Sequence, residues 1–306
     1  MKNENQIVFF ISVKVRCFIV AGGLKHPKAE IITNFGRRQL PPSLVWVAHV
    51  GALRMALHDG EILLFAKFLD DEMSESKLKC FKFNKDFSKD RVHSVCLAKE
   101  DALGSSVVTT ANATYIFGGQ NDPARYEYLP IGSTTWHEGK NQIPGGFWNG
   151  YTIAIKSDQE ILLMGGCNHW RRILSFNTTD HTFEELPAQL KKSRWGGARC
   201  AFIPGTNKVI ITGGINRNTM STEIFNTEDG SITWGKPLNS SRYFHGIGTI
   251  TMNNEDRLVV FGGGDDRFEV YNPLNSRWEM TDIRLNESNH YFGYLNLRLG
   301  DILPKL

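Results

Sequence analysis

The stretch Arg257–Trp278, RLVVFGGGDDRFEVYNPLNSRW, contains an apolar run that ends in three glycines, followed by an alternating segment, a turn and a tryptophan. The apolar run and the alternating segment each suit a short β-strand. Glycine weakens a strand, because it has no side chain to pack and loses the most conformational freedom on folding. Its place directly after the apolar run therefore needs a physical reason.

The same arrangement of an apolar run and a glycine doublet recurs along the chain. Successive doublets are 47, 48 and 49 residues apart. Their second glycines are Gly119, Gly166, Gly214 and Gly263. An earlier doublet ends at Gly23, two periods before the first of these, and we expect the missing copy in Glu61–Asp71, where Ala66 and Lys67 replace the glycines. A fixed period near fifty residues is typical of a repeat architecture.

The composition fits one sizeable folded domain. The chain has 306 residues, of which 41% are hydrophobic and 22% are charged, and its formal net charge is +3. The repeat runs from end to end, so we predict a single domain over residues 1–306. Basic residues are interspersed with acidic ones, which argues against a nucleic-acid surface. No segment reaches the roughly 18 consecutive apolar residues of a membrane helix.

The cysteines and the N-terminal segment bear on the compartment. The five cysteines cannot all pair and form no C-x-x-C motif, which is typical of buried thiols in a reducing cytosol. The apolar segment Ile7–Val13 is short, is followed by Lys14 and Arg16, and has no convincing small-residue cleavage site after it. We therefore expect a cytoplasmic protein, with secretion left open.

Each repeat predicts four short antiparallel strands. In the last full copy, the apolar stretches Ile247–Met252 and Leu258–Phe261 flank the turn NNED and fit a hairpin. The segment RFEVYN alternates with period two, and the turn NPLNS leads to a fourth strand that contains Trp278. A sheet of this size cannot bury both of its faces alone, so neighbouring sheets must stack. Radial stacking of such sheets produces a β-propeller.

The doublets have a structural explanation in this arrangement. Glycine lets neighbouring backbones approach closely and adopts positive φ where a strand turns sharply into a loop. A phosphate-binding interpretation of GGGDD finds little support, because the segment lacks the GK[ST] of a P-loop and no helix is expected after it.

The repeat resembles the kelch repeat, which has a glycine doublet, a strand that ends in Phe/Tyr-Asn, and a tryptophan. The doublets are Gly118-Gly119, Gly165-Gly166, Gly213-Gly214 and Gly262-Gly263. The other shared residues are Phe176-Asn177, Phe225-Asn226, Tyr271-Asn272, Trp136, Trp234 and Trp278. The resemblance implies an all-β, six-bladed kelch-type β-propeller with four antiparallel strands per blade. The second strands of its blades would end near Gly23, Leu69, Gly119, Gly166, Gly214 and Gly263.

We expect the two ends of the chain to complete the first blade together. The first doublet, at Gly22-Gly23, leaves little room for a preceding strand. At the other end, His290–Asp301 resembles a first strand and its turn, but no doublet follows it. Pairing of this C-terminal strand with the N-terminal blade would remove the open edge of the ring.

Loops on a rigid frame are the expected place for function. The loops after the doublets and the loops before the first strands should meet at one mouth of the ring, and they carry arginines beside large aromatic residues. The candidate partner-binding residues are Trp148, Asn168, His169, Arg172, Arg194, Trp195, Arg217, Arg242, Tyr243 and His245. Such residues are typical of binding hot spots, but in a repeat they also serve internal packing, so both interpretations stay open. Convergence of the four arginines would favour an acidic partner.

The resemblance implies a non-catalytic module that binds a peptide or protein segment at this mouth. Kelch proteins include substrate receptors of cullin-type ubiquitin ligases and cytoskeletal scaffolds. The ligase receptors normally carry a BTB domain before the propeller, whereas this chain begins at its first blade. A stand-alone protein and a fragment of a longer product both stay open, and the oligomeric state is not specified. No cofactor is expected.

Two enzyme classes with kelch propellers are the alternative, namely sugar mutarotases and copper radical oxidases. Cys167 and His169 lie close together in one mouth loop, but a single Cys-x-His lacks the spacing of a closed metal site. The pair Asp265-Asp266 offers carboxylates for acid–base chemistry, but adjacent residues of a strand point to opposite faces. We therefore expect neither a catalytic residue nor a metal ligand.

Overall fold

The computed structural model describes most of the chain in thirteen segments. They are residues 16–21, 29–33, 36–39, 54–68, 77–83, 93–95, 104–119, 122–146, 152–166, 171–194, 196–215, 219–286 and 293–298. Every helix or strand in these segments is a β-strand. This part of the chain contains no helical segment that could span a membrane.

The described strands form six four-stranded antiparallel sheets, numbered 1 to 6 from the N-terminus. Sheet 1 contains β1 (Arg16–Ala21), β2 (Ala29–Thr33), β3 (Gly36–Gln39) and β24 (Gly293–Arg298). Sheet 2 contains β4 (Arg54–His58), β5 (Glu61–Phe68), β6 (Lys77–Phe83) and β7 (His93–Val95). Sheet 3 contains β8 (Ser106–Thr109), β9 (Ala113–Phe117), β10 (Tyr126–Pro130) and β11 (His137–Glu138).

The remaining three sheets follow the same plan. Sheet 4 contains β12 (Thr152–Ser157), β13 (Glu160–Met164), β14 (Arg172–Asn177) and β15 (Phe183–Gln189). Sheet 5 contains β16 (Ala198–Phe202), β17 (Lys208–Gly213), β18 (Thr222–Asn226) and β19 (Ile232–Trp234). Sheet 6 contains β20 (Gly246–Met252), β21 (Glu255–Phe261), β22 (Arg267–Asn272) and β23 (Arg277–Arg284). The all-β class and the four-stranded antiparallel units are as predicted, and the architecture is consistent with a β-propeller-like fold.

Sheet 1 combines strands from the two ends of the described chain. β24 pairs antiparallel with β1, from Arg16 opposite Arg298 to Ala21 opposite Gly293. β24 therefore takes the place of the first strand in sheet 1, and β1 takes the place of the second. The strand predicted within His290–Asp301 corresponds to β24.

The first and second strands have the same register in all six sheets. In each sheet, the residue directly before the doublet position pairs with a residue at the beginning of the first strand. These first-strand residues, which we call the pre-doublet level, are Gly293, Arg54, Ser106, Thr152, Arg199 and Gly246. In sheet 2, where Ala66 and Lys67 replace the glycines, β5 stays paired with β6 as far as Phe68. The strand is therefore prolonged where glycine is missing.

The second strands are buried on both faces. In β13, Ile161 and Leu163 pack in a cluster with residues of sheet 3, whereas Leu162 and Met164 pack with residues of sheet 5. β17 and β21 divide their alternate residues between two neighbouring sheets in the same way. The fourth strand β15, in contrast, is largely exposed. Both faces of a second strand can be covered only if a sheet lies on each side, so stacking is what makes these strands stable.

The first strands of successive sheets lie against one another. The contacting pairs are β24 and β4, β4 and β8, β8 and β12, β12 and β16, β16 and β20, and β20 and β24. Each first strand therefore has a neighbour from the preceding and from the following sheet.

The glycine doublets have the conformation and the close contacts expected from the sequence. Gly213 and Gly214 have φ angles of 64° and 116°, a region that L side chains rarely adopt. A Cβ atom on Gly213 would lie 2.4 Å from the carbonyl oxygen of Arg242, and one on Gly165 would lie 3.0 Å from that of Arg194. The doublets are therefore glycine for two reasons, the backbone conformation and the approach of the next unit's backbone.

We expect Gly213→Ala to destabilise the protein much more than Gly205→Ala. Both glycines have positive φ, 64° and 71°, so either alanine costs about 1 kcal/mol in backbone strain. Only at Gly213 does the new methyl group meet backbone, whereas nothing lies within 4 Å at Gly205. The total loss at Gly213 should reach about 3 kcal/mol. Urea unfolding followed by tryptophan fluorescence measures the difference, and equal losses would refute the close approach.

Candidate functional site

Two sets of loops lie side by side at one end of the sheets, which we call the doublet end. One set follows the doublets, and the other, the lead-in loops, precedes the first strands. The amide of Gly166 donates a hydrogen bond to the carbonyl of Arg194 at 3.3 Å, and Gly214 donates to Arg242 at 3.3 Å. Each bond joins the doublet of one sheet to the lead-in loop of the next. Within sheet 6, the Tyr243 amide also donates to the Gly263 carbonyl at 3.1 Å.

The structure describes half of the candidate residues. The described ones are Arg172, Arg194, Arg242, Tyr243 and His245. Those outside the described residues are Trp148, Asn168, His169, Trp195 and Arg217.

Arg194 is buried and paired inside sheet 5. Its side chain has no exposed surface, and Nη2 donates to Oε1 of Glu223 on β18 at 2.8 Å. Nη1 donates to the carbonyl of Gly213, the first glycine of the doublet, at 2.6 Å. Burial lowers the pKa of the Arg194 guanidinium, and Glu223 opposes that shift. Arg194 thus fixes the lead-in loop to both the second and the third strand of its sheet.

Arg242 repeats this arrangement in sheet 6. Nε donates to Oε1 of Glu269 on β22 at 2.9 Å, and both side chains are fully buried. Nη1 donates to the carbonyl of Gly262 at 2.7 Å, and Nη2 donates to that of Arg267 at 2.8 Å. Arg194 and Arg242 both stand four residues before their first strand, so the repeat places one guanidinium in the same position in both sheets.

The two glutamates also hold the lead-in loops through backbone amides. Glu223 and Glu269 each accept hydrogen bonds from two consecutive amides of the loop. The donating amides are those of Lys191, Lys192, Asn239 and Ser240. The sequence analysis did not select these glutamates, although a signal exists. Glu30, Glu127, Glu223 and Glu269 all pair with the second-strand residue two places before the doublet.

Sheets 3 and 4 anchor their loops differently. In sheet 3 the buried Glu127 pairs with Arg125, the residue directly before β10. In sheet 4, Leu174 stands at the glutamate position, and the residue four places before β12 is Trp148 instead of an arginine. Sheet 4 therefore has neither the carboxylate nor the arginine at these two positions.

Arg172 is the first residue of β14 instead of a loop residue. Its Nη2 donates to the Pro144 carbonyl at 2.5 Å, and its Nη1 lies 3.5 Å from Oε2 of Glu185. The strand begins there because the amide of Gly165 donates to the Arg172 carbonyl at 3.0 Å and so starts the pairing of β13 with β14. Its side chain is buried. Arg172 thus anchors the segment before β12 to sheet 4.

The described arginines of the candidate set therefore serve internal packing, which is one of the two interpretations that the sequence left open. Arg194 and Arg242 have no exposed side-chain surface, and their charges are compensated by buried glutamates. Contact between these two guanidinium groups and an acidic partner would require the lead-in loops to detach.

Tyr243 and His245 lie on either side of Phe244 in the lead-in loop of sheet 6. Tyr243 is partly exposed, and its ring centroid is 6.1 Å from that of Phe244. His245 is fully buried, and its Nε2 lies 2.7 Å from Oγ1 of Thr212. Burial, with Arg199 and other nearby arginines, lowers the pKa of His245 well below its usual value, so this imidazole is neutral.

The two carboxylates of the GDDR loop have separate partners. Asp265 accepts hydrogen bonds from Arg267 at 2.9 Å and 3.0 Å and from Ser240 at 2.5 Å. Burial alone would raise the pKa of the Asp265 carboxyl, but these bonds hold it below its usual range. Asp266 accepts from Arg284 at 3.1 Å. The pair therefore stabilises the loop and does not converge on a common point.

Potential metal ligands do not cluster in the described part of the chain, where no three His, Cys, Asp or Glu side chains are placed to hold a metal ion. Cys167 and His169, the pair noted in the sequence, lie outside it. The thiol of Cys200 is buried, and burial raises its pKa to about 12, which makes it a poor nucleophile and a weak metal ligand.

No protein-family model matches the chain, and no curated protein matches it either. What the chain does must therefore be inferred from the chemistry of the doublet end.

Removing either partner of the Arg194–Glu223 pair should destabilise the protein by about 3–5 kcal/mol, because the other charge would stay buried alone. The double variant Arg194→Met/Glu223→Leu should lose less than the sum of the single losses. Urea unfolding of the four proteins gives this coupling. Arg257→Gln is the control, since it removes only the exposed pair with Glu255 and should change the stability by less than about 1 kcal/mol. Purely additive losses would contradict the buried pair.

Acid should destabilise the protein partly through His245. The unfolded histidine binds a proton near its ordinary pKa of 6.5, whereas the folded one does not, so stability is lost as the pH falls below that value. Between about pH 7.5 and about pH 5.5, the free energy of unfolding should fall by about 1.4 kcal/mol more in the wild type than in His245→Gln. Urea unfolding at both pH values measures this. An identical pH dependence in the two proteins would show that His245 does not stay neutral in the folded protein.

Proposed function

We propose that the protein is a six-bladed β-propeller of the kelch type, in which each of the six sheets is one blade, and that it binds a protein or peptide at the doublet end. The contacts between first strands support the ring. Following these contacts from sheet to sheet leads from β24 through four intermediate first strands to β20, and β20 contacts β24 again. The common register at the pre-doublet level supports six equivalent blades.

The pairing of β1 with β24 supports closure of the ring by the two ends of the chain. A blade built from both ends leaves no unpaired inner edge and fastens the first repeat to the last. Two recurring features support the kelch type, namely the similar geometry of the described doublets and the tryptophans on or next to the fourth strands. Trp278 lies on β23, Trp234 ends β19, and Trp136 directly precedes β11. Trp136 and Trp278 are buried, whereas Trp234 is about half exposed.

One observation carries the functional proposal, namely the anchoring of the lead-in loops by buried ion pairs. Arg194 and Arg242 fix two neighbouring loops to the frame through six or more hydrogen bonds in total. The next residue along the chain is aromatic in both loops, Trp195 in one and Tyr243 in the other. A large aromatic residue on a fixed loop loses little conformational freedom when it binds, and such residues dominate protein-binding hot spots.

We propose a non-catalytic role as an interaction module, such as a scaffold or a receptor for a protein segment. Glutamates compensate the charges of Arg194 and Arg242. We therefore propose that the aromatic residues after these arginines, and not the arginines themselves, contact the partner. A preference for acidic partners would then depend on residues such as Arg217. We place the protein in the cytoplasm, with which the buried thiol of Cys200 is compatible.

Substitution of the aromatic residues should remove partner binding without unfolding the frame. We expect Trp195→Ala combined with Tyr243→Ala to reduce recovery of a cross-linked partner by about tenfold or more relative to the wild type. Leu274→Ala is the matched control. Leu274 is 94% exposed and lies in the turn between β22 and β23, which is not one of the loops at the doublet end. Quantitative mass spectrometry after cross-linking measures recovery, and thermal unfolding checks that all three proteins fold.

Equal recovery by the double variant and the wild type would refute this mouth as the binding surface. Charge reversal at Arg194 or Arg242 is unsuitable for the test, because it would place two like charges in a buried pair and unfold the loop that it is meant to probe.

A further inference from the structure

The six first strands carry positive charge and no negative charge. Their sequences are GYLNLR, RMALH, SVVT, TIAIKS, ARCAF and GIGTITM. None contains Asp or Glu, whereas four contain or end in a basic residue, namely Arg54, Lys156, Arg199 or Arg298. These strands contact one another from sheet to sheet, so they line the centre of the proposed ring. The first strands therefore bring basic residues, and no acidic ones, to the centre of the proposed ring.

Arg54 and Arg199 occupy equivalent positions in this set. Both belong to the pre-doublet level, because Arg54 pairs with Phe65 and Arg199 pairs with Thr212. Equivalent register places the two residues at one height and on the same face of their own sheets. Lys156, in contrast, lies toward the other end of its strand and pairs with Glu160 at 2.7 Å.

The two arginines belong to sheets on opposite sides of the proposed ring. Along the series of contacting first strands, β4 and β16 are separated by two other strands in either direction. Sheets 2 and 5 are therefore on opposite sides of the centre. A ligand between them would meet one guanidinium from each side.

Arg199 differs from Arg194 and Arg242 in what surrounds its charge. Its Nη1 donates to the carbonyl of the adjacent Ala198 at 3.0 Å, and it makes no ion pair with an acid in the part of the chain that the structure describes. Arg194 and Arg242 each have a buried glutamate. Glutamates thus compensate the charges of Arg194 and Arg242, whereas among the described residues no acid pairs with Arg199.

The charge of Arg199 affects the pKa values of Arg54 and His245. Burial and then Arg199 lower the pKa of the Arg54 guanidinium to about 9, and Tyr294 opposes this shift. Arg199 also contributes to the low pKa of His245. In both cases the like charge of Arg199 adds to the effect of burial.

We propose that Arg54 and Arg199 bind an oxyanion at the centre of the six sheets, just inside the doublet end. A guanidinium presents parallel N–H groups that match the oxygens of a phosphate or a carboxylate. The ligand is therefore either a free ion such as phosphate or the carboxylate of a bound segment. Such an anion would relieve the repulsion between the two arginines. The inference uses the ring arrangement proposed above, but it requires no protein partner at the mouth.

The test uses the whole chain and two probes, sodium phosphate and sodium acetate, each at constant ionic strength adjusted with sodium chloride. We expect phosphate, acetate or both to raise the melting temperature of the wild type in a saturable way. Arg199→Gln should weaken the apparent affinity by about tenfold or more, as expected for the loss of a charge-assisted hydrogen bond. Arg54→Gln should do the same. Arg277→Gln is the control, since Arg277 is exposed at the start of the outer strand β23.

The choice between the probes assigns the source of the ligand. A response to phosphate alone indicates a free tetrahedral ion, and a response to acetate at equal or lower concentration indicates a carboxylate. Arg199→Lys provides a second variant that keeps the charge without the fork, and it should bind with an affinity between those of the wild type and the glutamine variant. No stabilisation by either anion, or equal stabilisation of the wild type and Arg199→Gln, would overturn the site.

Discussion

The two-sided burial of the second strands is the constraint on which the rest of the structure depends. Alternate side chains of β13 enter two different apolar clusters, one shared with sheet 3 and one shared with sheet 5. Neither cluster exists without its neighbour, so no sheet can be stable alone, and the stacking must continue until each sheet is covered on both faces. A fifty-residue period follows from this requirement, because each unit has to present the same two apolar faces at the same spacing.

Stacked sheets must also be joined where the strands end. Apolar packing is not sufficient there, because the backbone of the loops carries polar groups that need hydrogen-bond partners. The doublets and the buried ion pairs meet this need together. The close approach at Gly213 brings the Arg242 carbonyl within reach of the Gly214 amide, while the side chain of Arg242 turns into its own sheet and satisfies the Gly262 carbonyl. The side chain of Arg242 has no exposed surface, so it does not contact a ligand at the surface while the loop stays in place. The binding that we propose at this end therefore uses the residues beside Arg194 and Arg242.

The sequence predicted the fold better than the site, for physical reasons that particular residues make clear. The doublets and the alternating segments are local signals, since positive φ and period-two burial depend on a few adjacent residues. The described strands lie close to where these signals predicted them, although β21 begins at Glu255, inside the predicted turn NNED. Whether Arg194 is exposed depends on Glu223, which stands in a different strand, and no local pattern decides it. The recurrence of glutamate at one position of four third strands was the available clue. Arg54 and Arg199 were missed because they are equivalent only in register, although both begin the pattern Arg-x-Ala followed by an apolar residue.

The treatment of charge separates frame from function in this protein. Buried charges are costly unless they are paired, and the frame pairs them whenever they serve a loop, with Arg125 and Glu127 in sheet 3 and the arginine–glutamate pairs of sheets 5 and 6. In sheet 4, Leu174 and Trp148 stand at the two positions, so neither charge is present there. The partly buried Arg199, on the first strand of sheet 5, has no acidic partner among the described residues and is an exception to this rule. Since these other buried charges are paired, this arginine is a reason to look for an anion that is not part of the chain.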